Sequence, residues 1–177
     1  MNGNTNYFIE IKDAVNAVES SDALKQWKKS NPEGFLAYAQ TFIDINKPRK
    51  EWYLGYYSGN VKRIATFTVS ETSNVVLNAE DDNQIQDESL SILPIVLDDV
   101  RLSLKSVLES IAETHRKEYP RELQSEIIVN LQNSDGKTIW NISYFTRSFK
   151  VINFKVNPSD GKIFSHSINS IMDFAGN

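Results

Sequence analysis

Trp52-Tyr53-Leu54-Gly55-Tyr56-Tyr57 and Trp140-Asn141-Ile142-Ser143-Tyr144-Phe145 decide how this chain is read. They stand 88 residues apart and share Trp, an aliphatic residue, Tyr and a further aromatic at matching positions. Alternation of period two makes each a strand, with Trp52, Leu54 and Tyr56, or Trp140, Ile142 and Tyr144, on one face. Upstream the same offset lays Lys28-Lys29-Ser30-Asn31-Pro32 over Arg116-Lys117-Glu118-Tyr119-Pro120. Downstream, Phe67-Thr68-Val69 lies over Phe154-Lys155-Val156 at 87, and the lost residue falls in the hairpin signal Ser58-Gly59-Asn60. Ser70-Glu71-Thr72-Ser73-Asn74 then overlies Asn157-Pro158-Ser159-Asp160-Gly161, placing Asn74 where the other copy has glycine. Both types accept the positive φ of a tight turn.

A period near 88 in 177 residues predicts an α+β fold of two repeats. Each is expected to pack an N-terminal helix on a four-stranded antiparallel meander. In the second copy Asp98 or Asp99 caps a helix whose face carries Val100, Leu104, Val107, Leu108, Ile111 and His115, and Pro120 ends it. In the first, Asp13 to Glu19 is helical and Ser20-Ser21-Asp22 offers a fresh cap, so the helix breaks there. The core faces of the first strands are Phe35, Ala37, Ala39, Thr41 and Ile43, and Leu123, Ser125, Ile127, Val129 and Leu131. Those of the third strands are Ala65, Phe67 and Val69, and Ile152, Phe154 and Val156. The fourth strands run over 75–78 and 162–168. The repeats take in 1–78 and 94–177, joined by 79–93, whose stretch Glu80-Asp81-Asp82 to Asp87-Glu88 reads as a solvated acidic linker.

Composition excludes several classes. With 40% hydrophobic and 24% charged residues the chain is globular, and no apolar run is long enough to span a membrane. The absence of cysteine removes disulfides, thiolate nucleophiles and thiolate metal sites. A net charge of −4 opposes nucleic-acid binding, and the clusters Lys25-Lys28-Lys29, Lys47-Pro48-Arg49-Lys50 and Arg116-Lys117-Arg121 read as loop or helix-end charges. Residues 1–88 hold 13 acidic and 9 basic side chains and residues 89–177 hold 10 of each, so the excess sits in the first half. The start, Met1 to Asn6, is polar and uncharged and leads directly into Tyr7-Phe8-Ile9, with no basic stretch before an apolar core. A cytoplasmic chain fits that start, and so does a cell-envelope or extracellular chain whose leader has been removed.

The paired patterns resemble the PepSY domain. The resemblance covers both copies. In the second it runs through Asp98-Asp99-Val100, Tyr119-Pro120, Trp140 to Tyr144 and Phe154-Lys155-Val156-Asn157-Pro158-Ser159-Asp160-Gly161-Lys162-Ile163. In the first it runs through Asp13 to Val18, Trp27 and Asn31-Pro32. That family has no catalytic motif, so the resemblance implies a protein that is not an enzyme, needs no cofactor, and regulates, inhibits or chaperones a peptidase by contact.

The residues themselves supply few chemical constellations. There are two histidines: His115 falls on the apolar helix face, as a packed ring, and His166 lies in Ser165-His166-Ser167, whose serines face away from it in a strand. Neither a phosphate loop nor a dinucleotide fingerprint occurs, and no metal or catalytic set is expected. The expected binding surface is the aromatic group Tyr38, Phe42, Tyr53 and Tyr57 on the sheet face away from the helix, since tyrosines give large contact area at small entropic cost. Its occupant is a protein or peptide, the other repeat, or a second copy in a homodimer. The alternative is a small-ligand or enzymatic domain with a cavity between helix and sheet.

Overall fold

A computed structural model describes residues 9–44, 51–80 and 92–171. The start of the chain, the basic run 47–50 and the acidic centre of the expected linker lie outside these residues. Among them the fold is α+β, with three α-helices and one eight-stranded antiparallel sheet in place of two separate four-stranded ones. The chain divides into two compact units: 1–41 with 50–94, and 42–49 with 95–177.

Unit 1 opens with α1 (Ile11–Ser20) and α2 (Asp22–Ser30), broken at Ser21 as the fresh cap predicts. Ser21 is extended, its Oγ accepts from Leu24 N and donates to Val18 O at 2.7 Å, so one hydroxyl ends one helix and starts the next. Ile11, Ala14, Val15 and Val18 of α1 and Leu24 and Trp27 of α2 are buried. They meet the inward face of β1 (Phe35–Asp44), β2 (Trp52–Ser58), β3 (Arg63–Val69) and β4 (Val75–Glu80), whose order is β4-β3-β2-β1. Trp27 lies edge-on to Tyr56 and Phe67, and Trp52 Nε1 donates to the carbonyl of Ile9 at 2.8 Å.

One face assignment changes. A bulge between Leu36 and Tyr38 leaves Ala37 unpaired, while Leu36 stands opposite Tyr56 and Phe35 opposite Tyr57. An extra residue exchanges the faces of everything before it. Leu36 therefore enters the core and Phe35 packs outward, its ring 5.6 Å from that of Tyr57. The turn after β3 also differs from expectation: Ser73, and not Asn74, takes the positive φ of 58°.

Unit 2 begins with a single 3-10 turn, Leu97–Asp99, and the helix follows only at α3 (Leu104–Glu118). Its cap is Ser103, whose hydroxyl accepts from Ser106 N, and not Asp98 or Asp99. The delay has a cause. Arg101 N and Leu102 N both donate to Pro158 O, so these residues are tied to a turn of the sheet and cannot close a helical turn. Leu104, Val107 and Ile111 form the buried stripe. The strands β5 (Gln124–Ser134), β6 (Lys137–Thr146), β7 (Lys150–Val156) and β8 (Ile163–Ser170) follow in the order β5-β6-β7-β8. A bulge between Gln124 and Glu126 leaves Ser125 unpaired, so Ile127, Val129 and Leu131 stay inside while Leu123 is 63% exposed. Trp140, Ile142, Tyr144, Ile152, Phe154 and Val156 are buried, as the alternation predicts. No helix among the described residues is long and apolar enough to cross a membrane.

Candidate functional site

The outward face of unit 1 brings three of the expected residues together. Tyr38 is opposite Gly55, Tyr53 opposite Gln40 and Thr68, and Tyr57 opposite Phe35 and Ile64. All three tyrosines are half-buried. Gly55 explains the seat of Tyr38: a Cβ there would lie 2.1 Å from Tyr38 Cε1, so the ring occupies the space that a side chain would take. The Tyr38 hydroxyl shares a 3.0 Å hydrogen bond with Thr66 Oγ1, and Tyr53 donates to Glu51 Oε2 at 3.1 Å. These partners hold the rings of Tyr38 and Tyr53 in place. Phe42 follows Tyr38 and Gln40 in the outward alternation of β1, in the segment 42–49 that groups with unit 2.

Unit 2 holds a feature that the sequence did not disclose. Where α3 ends, a groove of about 650 Å³ is lined by Ala112, His115, Arg116, Tyr119, Leu123 and Arg147, with Pro120, Glu122 and Gln124 completing it. Its parts come from the last turn of α3, the connection into β5 and the turn between β6 and β7. The helix must stop before Pro120, and the backbone of Arg147 donates to Leu123 O at 2.8 Å, closing the turn onto the start of β5. Arg116 stood out in the sequence only as a helix-end charge, and nothing local marked Leu123 or Arg147.

The groove's titratable groups are unevenly engaged. Glu122 accepts from Lys150 Nζ at 2.6 Å and from Ser148 Oγ, and these bonds, that of Lys150 first, hold its carboxyl below the ordinary value. Tyr119 shares a 2.6 Å hydrogen bond between its hydroxyl and His166 Nδ1. His115 packs against the ring of Tyr144 at 5.4 Å as a core residue would, yet its Nε2 is buried without a hydrogen-bond partner. Burial moves the imidazole below its usual value, against a smaller opposite pull from the Glu122 charge. The guanidinium groups of Arg116 and Arg147 are exposed and have no ion-pair partner among the described residues. Among those residues no group of three or more His, Asp or Glu could hold a metal ion.

No family model matches this chain, and no curated protein matches it. A solved structure, that of a candidate lipoprotein from Clostridium difficile 630, is similar with a TM-score of 0.54 at 14% identity, over 84% of this chain and 91% of that one. At that identity the likeness is one of fold.

Proposed function

We propose that the chain is a non-catalytic protein- or peptide-binding protein composed of two PepSY-like modules, and that the outward face of unit 1 is its binding surface. Three correspondences support the two-module reading. The unpaired residues Ala37 and Ser125 stand 88 apart. Lys62 and Phe149, both at positive φ, are 87 apart, the offset that holds past the lost residue. The ring pairs Tyr56–Phe67 and Tyr144–Phe154 are spaced 5.5 and 5.4 Å.

The observation that carries the binding role is the seating of Tyr38 on Gly55 with its hydroxyl held by Thr66. A ring already fixed loses little entropy when a partner covers it. A peptidase is the partner class that the PepSY resemblance brings, and the lipoprotein description of the fold neighbour supports a cell-envelope setting. The test is selection of displayed peptides on the full chain, followed by amide-resolved NMR titration. Selected peptides should shift the signals of Tyr38, Gly55 and Thr66. The double variant Tyr53→Ala/Tyr57→Ala, with an unchanged circular dichroism spectrum, should bind them at least about tenfold more weakly. Peptides that bind this variant as tightly as the parent chain would sink the reading.

A further inference from the structure

We infer that the groove at the end of α3 is a binding site for a small organic acid, one free carboxylate carried on an apolar body. The inference rests on unit 2 alone, is independent of the tyrosine face of unit 1, and gives the small-ligand alternative a definite location. Two guanidinium groups, Arg116 and Arg147, line one groove and neither is neutralised by a described acidic residue. The acid that could have served them, Glu122, is committed to Lys150 and Ser148. The unsatisfied charge in the groove is therefore positive, and the planar guanidinium fork matches a carboxylate in geometry as well as charge.

The apolar requirement comes from the walls. Leu123, 63% exposed, lines the groove, and Ala112 and Pro120 extend the same apolar lining. A volume of about 650 Å³ is within the range of pockets that hold a ligand of drug-like size. A bare inorganic anion would meet the guanidinium groups and leave the apolar wall uncovered. A carboxylate with a branched aliphatic body uses both.

The experiment is an amide-resolved NMR titration of the full chain with three probes: N-acetyl-leucine, its uncharged methylamide, and inorganic phosphate. The acid is expected to shift the signals of Arg116, Leu123 and Arg147 saturably, with the methylamide and phosphate each at least about tenfold weaker. Arg116→Gln and Arg147→Gln, both at exposed positions, should each weaken the acid about tenfold or more with an unchanged circular dichroism spectrum. Leu123→Ser should weaken the acid and leave phosphate unchanged. Equal binding of acid and methylamide, phosphate binding as tight as the acid, no saturable shift with any probe, or indifference to both arginine substitutions would each overturn the assignment. The tyrosine double variant should bind the acid normally, so failure of either site is read separately.

Discussion

The Tyr56 hydroxyl donates a 2.9 Å hydrogen bond to the carboxylate of Glu19, joining the centre of β2 to the last turn of α1. The tyrosine is fully buried, whereas Glu19 is partly exposed and also meets Lys28 at 3.5 Å. Tyr56→Phe leaves a carboxylate that water can still reach. It is expected to cost about 1 kcal/mol, the net worth of an ordinary hydrogen bond, because its charged acceptor is partly exposed. Glu19→Leu leaves the buried hydroxyl without its acceptor and should cost more, about 1–3 kcal/mol. Urea unfolding of the two variants checks the order, and a costlier Tyr56→Phe would refute it.

Tyr56 and Tyr144 predict an alkaline limit to stability. Burial raises both phenols above their ordinary value, and for Tyr56 the charge and hydrogen bond of Glu19 add to it. In the unfolded chain both ionise near pH 10. The stabilisation is thus complete below about pH 10 and is lost as pH rises toward the folded values. With two protons released on unfolding, stability should fall by about 2.7 kcal/mol per pH unit in that window. Tyr144→Phe should reduce the slope by about half. Denaturation curves at several alkaline pH values measure it, and an unchanged slope in the variant would count against the assignment.

Gly55→Ala should be destabilising out of proportion to its size. The added methyl would meet the Tyr38 ring at 2.1 Å, so the ring must leave and with it the bond to Thr66. The expected cost is about 1–3 kcal/mol, as for an overpacked site. Adding Tyr38→Ala removes the obstacle, and the double variant should recover part of the loss. A melting temperature for Gly55→Ala equal to that of the parent would show that the ring is not held there.

Acid sensitivity is predicted at Glu122. Its folded carboxyl lies below the ordinary value, chiefly through Lys150, so its contribution is complete above about pH 4.3 and is lost as pH falls through the folded value. Lys150→Met should raise the pH at which the carboxyl titrates and cost about 0.5–1 kcal/mol at neutral pH, since the lysine is 42% exposed. Carbon-detected NMR titration of the Glu122 carboxyl follows the shift directly. A titration curve that does not move would exclude Lys150 as the main cause.

Period two was enough to place Trp52, Leu54, Tyr56, Trp140, Ile142 and Tyr144 inside, because an aromatic or branched residue at every second position leaves one buried face. The break at Ser21 was equally readable, since a serine before an aspartate is a local cap. What escaped was decided at a distance. Ala37 and Ser125 look like ordinary inward positions, and only the strand opposite reveals that they are bulged. Asp98 and Asp99 are good caps in isolation, yet the carbonyl of Pro158 competes for the next amides. The groove joins residues from a helix end and two connections, and no sequence window contains Arg116, Leu123 and Arg147 together.

The two bulges bear on how freely this protein can change. A side chain beyond the bulge, such as Phe35 or Leu123, stands outside the buried core, so its size can drift without a compensating change in the interior. Mutational tolerance should therefore step sharply within a single strand: high at Leu123, low from Ile127 onward. Surface chemistry at the strand mouths is free to diverge between lineages while the packed interior stays constant, and new binding preferences can arise there at little risk to folding.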